Sequence, residues 1–188
     1  MTIFERQTGN NNPFDGIDVG FRAAPTFVDL DGDGDLDAIV GAGDGTINLF
    51  ENIGDANTPS FIAQTGNNNP FNGIDVGGRS SPALADIDGD GDLDAVIGTE
   101  TGPIVFFENI GDASTPNFVI RTRNRDPLTE LNVAGLDAAP TFADIDGDGD
   151  LDAVVSDFYG SSYFFENKFG YLRNIQAFRT AGNSIGPS

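Results

Sequence analysis

The 188-residue chain contains no cysteine and no histidine, and only nine lysines and arginines in all. Without cysteine there is no disulfide framework and no thiol chemistry. Without histidine the chain lacks the commonest general base and the commonest transition-metal ligand. No basic cluster occurs anywhere, and the net charge is −21, so nucleic acid and anionic membrane surfaces are excluded as partners. No apolar run approaches the length of a membrane span. The opening residues, Met1-Thr2-Ile3-Phe4-Glu5-Arg6-Gln7, carry no basic start followed by an apolar stretch, so no secretion signal is visible in them.

What the chain does have is aspartate and glycine. Apolar residues make up 38%, and the 25 glycines bring that to the globular norm of about half, so disorder is not implied. High Gly and Asp content is typical of turn-dense all-β chains. The acidic residues are ordered in a pattern. Asp29-Leu30-Asp31-Gly32-Asp33-Gly34-Asp35-Leu36-Asp37 recurs as Asp86 to Asp94 and as Asp144 to Asp152. Carboxylates at alternate positions repel one another at neutral pH, and an ordered loop of this kind needs a counter-charge at its centre. A hard divalent cation supplies one. Calcium takes 6–8 oxygen ligands, and Asp at positions one, three and five with Gly at six is how an acidic loop wraps round it.

Asp29, Asp31 and Asp33 are accordingly expected as side-chain ligands, Asp35 as a main-chain carbonyl ligand, and Asp37 as the closing carboxylate. The same roles fall to Asp86, Asp88, Asp90, Asp92 and Asp94, and to Asp144, Asp146, Asp148, Asp150 and Asp152. Three bound calcium ions per chain would bring the net charge from −21 to −15. The alternative is an acidic, solvated turn with no metal. An EF-hand is unlike this loop, because position twelve, a bidentate Glu in that motif, is Val40, Ile97 or Val155 here. The flanks Ala38-Ile39-Val40, Ala95-Val96-Ile97 and Ala153-Val154-Val155 are short β-branched runs, so each loop joins two strands.

The loops are spaced 57 and then 58 residues apart, and Phe4 to Pro13 reappears as Phe61 to Pro70 and more loosely as Phe118 to Pro127. One inserted residue between Leu128 and Pro140 accounts for the difference. A period in this range, with about four strand-like segments per unit, predicts an all-β fold of β-propeller blades, each of four antiparallel strands. A solenoid is the alternative. In the first unit the strands are expected at Pro25 to Val28, Leu36 to Gly41, Thr46 to Asn52 and Phe61 to Thr65. The chain divides as one module: residues 1–23, an N-terminal outer strand and connection; 24–80, the first blade; 81–138, the second; 139–188, the third and a C-terminal tail. That tail, from Leu172 to Ser188, matches the outer strand poorly.

Phe50, Phe107 and Phe165 recur at one position and are expected to pack blade against blade, not to form a carbohydrate platform. Glu51-Asn52, Glu108-Asn109 and Glu166-Asn167 recur as well. An active site is needed once and a turn in every blade, so these are read as turn residues.

The units resemble the FG-GAP and VCBS family of calcium-binding propeller repeats, the kind of blade found in the integrin α-subunit head and in many bacterial surface proteins. Ala24-Pro25-Thr26-Phe27 with the first loop, Ser81-Pro82-Ala83-Leu84 with the second and Ala139-Pro140-Thr141-Phe142 with the third carry the likeness, as does Phe-Glu-Asn-Ile-Gly followed by Thr-Pro. The resemblance implies structural calcium in each blade and a non-enzymatic role in adhesion or recognition. It also implies an extracellular or cell-surface setting, reached as part of a longer secreted protein or by another route. A lectin is the alternative function. A propeller hydrolase or lyase is the third, and its machinery would have to be carboxylates already assigned to calcium.

Family propellers usually close with six or seven blades, whereas this chain has three. Closure by oligomerisation is therefore expected: a homodimer of six blades in which Phe4 to Thr8 of one chain completes the third blade of the other. A protein or glycan partner is expected on the face opposite the metal loops, where the loops vary. The candidates there are Arg22, Arg79, Phe158 and Tyr159.

Overall fold

The computed structural model describes residues 3–122, 126–131, 133 and 136–168. Eleven strands follow one another: β1 (Ala24–Val28), β2 (Asp37–Gly41), β3 (Ile47–Asn52), β4 (Phe61–Gln64), β5 (Ser80–Ala85), β6 (Asp94–Thr99), β7 (Ile104–Asn109), β8 (Phe118–Arg121), β9 (Ala139–Ala143), β10 (Asp152–Ser156) and β11 (Ser162–Phe165). There is no α-helix among the described residues. The strands form three antiparallel meanders, β1-β2-β3-β4, β5-β6-β7-β8 and β9-β10-β11. The repeat thus folds as three sheets, consistent with propeller blades, and the expected strand limits agree to within one residue. The third sheet has three strands among the described residues. The tail from Leu172 lies outside them, and Phe4 to Thr8 belongs to no strand.

The local reasons are plain in the register. Ile39 pairs with Thr26 and Leu49, so a β-branched residue sits mid-sheet between two strand neighbours. The acidic loop joins β1 to β2, and Gly32 and Gly34 hold φ of 76° and 97°, which residues with a Cβ rarely adopt. The β1–β2 loops therefore lie at one end of each sheet, with the β2–β3 hairpins and the sheet-to-sheet connections at the other.

The core sits between sheets. Leu30, Ile39, Ile47 and Leu49 of the first sheet meet Ala95, Ile97 and Phe107 of the second, and Phe71, from the connection between them, fills the seam at 1% exposure. Its ring stacks on Phe118 with centroids 4.7 Å apart. Burying a side chain of that size contributes about 1.5–3 kcal/mol. A second seam joins Val96, Ile104 and Phe106 to Ala153 and Val155, with Leu128, Leu131 and Val133 of the connection packed against them. Phe107 and Phe165 pack at the seams between sheets as expected, whereas Phe50, 6% exposed, packs with Ala38, Val40 and Phe14 of its own unit.

The seams are also stitched by backbone. Ser80 donates its N–H to Ala42 O at 3.0 Å, and Ala138 donates to Thr99 O at 3.1 Å. Gly41 and Gly98 permit this approach. A Cβ on either would fall deep inside contact distance of the Ser80 or Ala138 carbonyl oxygen.

Candidate metal centres

Each acidic loop begins where a strand ends, and its aspartates are aimed by the loop's own amides. Asp29 Oδ1 accepts from Gly32 N at 2.8 Å and its Oδ2 from Gly34 N at 3.1 Å. Asp31 Oδ1 accepts from Asp33 N at 3.2 Å and Asp33 Oδ1 from Asp35 N at 3.0 Å. The second and third loops repeat the pattern: Asp86 takes Gly89 N and Gly91 N, and Asp144 takes Gly147 N and Gly149 N.

The outcome is three trios, Asp29 with Asp31 and Asp33, Asp86 with Asp88 and Asp90, and Asp144 with Asp146 and Asp148. In each trio the three contributed oxygens lie within 4.8 Å of one another. Oxygens on one calcium, each 2.3–2.6 Å from it, stand at most about 5 Å apart, so each trio fits a single hard cation. Residues at positions one, three and five are brought together as the sequence predicts.

Asp35 and Asp92 add a feature that sequence reasoning missed. Both are 8% exposed, and Oδ1 of each is buried with no hydrogen-bond partner. Burial is the first cause that raises both carboxyls above the ordinary aspartate range. Asp33 beside Asp35, and Asp90 beside Asp92, push the same way. An unpaired buried carboxylate oxygen is costly unless a proton or cation meets it. Neither carboxylate belongs to a trio, whose oxygens come from positions one, three and five.

Asp37, Asp94 and Asp152 lie apart from the trios and are 3%, 2% and 1% exposed. Asp37 Oδ2 accepts from Leu30 N at 3.2 Å and Oδ1 from Asn52 N at 2.8 Å; Asp94 holds Ile87 N and Asn109 N, and Asp152 holds Ile145 N and Asn167 N, in the same way. Burial raises Asp37 and Asp94 to about 6, the two backbone N–H donors oppose it, and the trio carboxylates add to it. The closing residue of the motif therefore ties the loop to β3, whatever else its second lone pairs do.

The Glu-Asn pairs are structural, as expected. Asn52 Oδ1 accepts from Gly54 N at 3.1 Å and Ser60 N at 2.8 Å, closing the β3–β4 turn, and Asn109 repeats this at 3.0 and 2.8 Å. Glu108 grips Arg121 through two bonds of 2.6 and 2.9 Å, and Glu51 pairs with Gln64.

On the opposite face, Arg22 reaches Glu100 at 3.1 Å and Asp137 at 3.8 Å, and Arg79 reaches Asp137 at 3.3 Å. Arg22, Arg79 and Asp137 are repeat-equivalent, so three connections meet in one ion-pair cluster. Phe158 and Tyr159, 66% and 72% exposed, form a T-shaped pair at 5.5 Å on the β10–β11 hairpin. The hairpin is anchored beside the cluster by Phe158 N to Leu136 O at 2.8 Å. All four candidate partner residues therefore lie on one face.

Three blade-like sheets with an aspartate trio in each first loop define a repeat protein built round acidic turns. The chain matches the FG-GAP-like repeat twice, over residues 29–97 and 86–155. It belongs to that family. No curated protein matches it. No helix among the described residues is long and apolar enough to cross a membrane.

Proposed function

We propose that the chain is a non-enzymatic, calcium-binding propeller module that serves adhesion or recognition outside the cell. The observation that carries this reading is the threefold repetition of an aspartate trio whose oxygens lie within 4.8 Å, each prearranged by backbone amides. Bound calcium supplies positive charge at the centre of each loop. The protein's part is to hold the carboxylates in place through the glycine amides and to anchor the loop through Asp37, Asp94 and Asp152. With the metal loops alike and structural, recognition falls to the other face, where Arg22, Arg79, Phe158 and Tyr159 gather.

Thermal melting in calcium and in chelator tests the reading. Binding to the folded state alone stabilises by about 2.7 kcal/mol per site at a hundredfold excess over the dissociation constant. A large fall in melting temperature with chelator is expected, restored by calcium and far less by magnesium, which prefers stricter octahedral coordination. An unchanged curve would remove the metal claim.

The exposed Phe158–Tyr159 pair favours one second reading, a lectin that stacks sugar on those rings. Glycan-array binding lost in Phe158→Ala and Tyr159→Ala would select it.

A further inference from the structure

The three wedge positions of the repeat are Phe14, Phe71 and Leu128. Phe71 is sealed between two sheets, with the first sheet's Leu30, Ile39 and Leu49 on one side. Phe14 has only one side covered. It stacks on Phe61 at 4.5 Å, packs with Ala38, Val40 and Phe50, and is half-buried. Conversely, the third sheet's counterparts of Leu30 and Leu49 are Ile145 and Phe164, exposed at 53% and 54% where Leu30 and Leu49 are 5% and 7% exposed. Among the described residues, one face of the first sheet thus lacks a neighbour of the type the third sheet offers, and the third lacks a wedge of the type Phe14 offers.

The segment leading to Phe14 has the matching shape. Between the outer strand β4 and Phe71, the chain passes through a 3-10 turn at Gly66–Asn68 entered from Thr65 at φ −135°, ψ 161°. Residues ahead of Phe14 do the same: a 3-10 turn at Gly9–Asn11 entered from Thr8 at φ −144°, ψ 156°. Gly9 and Gly66 have φ of 56° and 58°. Residues 4–14 are therefore folded as a link between an outer strand and a wedge, yet Phe4 is 90% exposed and pairs with no strand among the described residues. A groove of about 750 Å³, lined by Leu128, Leu131, Phe142 and Phe165, runs along β11. In the other two sheets Phe61 and Phe118 begin the strand at this place.

Resting on the reading of the sheets as propeller blades, we propose that a second copy of this chain occupies both surfaces. Phe14 of one copy wedges against Ile145 and Phe164 of the other, and its Phe4 to Gln7 adds to β11 as the outer strand. By the register in which Asn52 faces Phe61 and Glu51 faces Ile62, Asn167 of one copy faces Phe4 of the other and Glu166 faces Glu5. Gln7 then meets Glu166 as Gln64 meets Glu51. The contact is head to tail, and two copies close it as a six-bladed ring about a twofold axis.

One position departs from the pattern. Ser156 stands where Gly41 and Gly98 admit the next connection, and it bonds to Ser162 at 2.9 Å. Its Cβ keeps the neighbouring backbone from closing to the same distance, so this seam is held by the wedge and the outer strand and is looser at its hairpin end. Ser156→Gly should tighten it.

The test uses the absence of native cysteine. Glu5→Cys and Glu166→Cys chains, mixed in calcium with a short bis-maleimide, should give a covalent dimer containing one of each, and neither chain alone should give it in comparable yield. Light scattering of the unmodified chain should read twice the monomer mass, returning to one in Phe14→Asp and in Phe164→Asp. A monomer mass with no cross-link overturns the proposal, as does a Glu5→Cys/Glu166→Cys chain that links only within itself. A monomer whose melting still responds to calcium would overturn the closure while leaving the metal reading intact.

Discussion

The backbone N–H of Asn52 meets Asp37 Oδ1 at 2.8 Å, fifteen residues away and 3% exposed to solvent on both sides. With Leu30 N on the other oxygen, one buried carboxylate accepts from two backbone amides. Asp37→Ala should cost about 2–5 kcal/mol, since each orphaned buried donor is worth about 1–3. Urea denaturation of Asp37→Ala against Asp15→Ala, an exposed position, checks this. Equal midpoints would show that the anchor contributes nothing.

The trios predict an inversion of sign with metal. Asp31→Asn removes one charge from a cluster that repels itself, so the variant should be as stable as the parent in chelator, or more so. In calcium it should be less stable. Calorimetric titration should count three ions on the parent chain and two on each of Asp31→Asn, Asp88→Asn and Asp146→Asn. Three ions retained on any of them would place the binding elsewhere.

Close sheet approach makes Gly98→Ala a sharp substitution. The added methyl meets the Ala138 carbonyl, which is backbone and cannot rotate away. A loss of about 1–3 kcal/mol is expected, typical of an overpacked core. A neutral result would mean that the second and third sheets are not pressed together there.

Phe71→Ala should be among the most destabilising single changes, at about 3–5 kcal/mol, because a fully buried ring is removed from a seam that cannot collapse. Phe71→Leu should recover part of that loss, as Leu128 serves at the corresponding place in the next seam. If Phe71→Ala unfolds at the parent's denaturant midpoint, the seam is not a core.

For the partner face, Phe158→Ala with Tyr159→Ala should leave stability unchanged within about 0.5 kcal/mol, as befits exposed loop tips. Arg79→Ala should not, because Asp137 Oδ1 is already buried without a hydrogen-bond partner and the substitution removes the guanidinium that faces its Oδ2 at 3.3 Å. A partner that binds the quadruple alanine variant as tightly as the parent would exclude this face as its site.

Much of this architecture was legible in the chain. The strand limits follow from β-branched runs bounded by glycine, and the trios from a one-three-five alternation that local geometry alone brings together. What was not legible is whatever depends on a neighbouring sheet. Nothing in the local pattern of Asp35 and Asp92 says that one oxygen of each ends buried without a donor. Asp37 reads as the closing carboxylate of the loop, but its hold on Asn52 N depends on a strand that pairs with β2 only after folding. Gly41 reads as the end of a strand, and only the Ser80 carbonyl beyond it explains why no side chain is present.

Most of the buried apolar positions face across seams between sheets; the first sheet keeps only a small cluster of its own, Ala38, Val40 and Phe50 under Phe14 and Phe61. Ile39, fully buried in the finished structure, has nowhere to hide until Phe71 and Ala95 exist. A chain emerging residue by residue therefore gains little by completing its first meander. Two adjacent sheets are the expected smallest stable unit, each further sheet being added onto an already folded face, as in nearest-neighbour repeat arrays. A substitution that prevents the first seam from forming acts on the birth of the molecule more than on its finished form, and a truncation after residue 65 should leave a peptide without lasting structure.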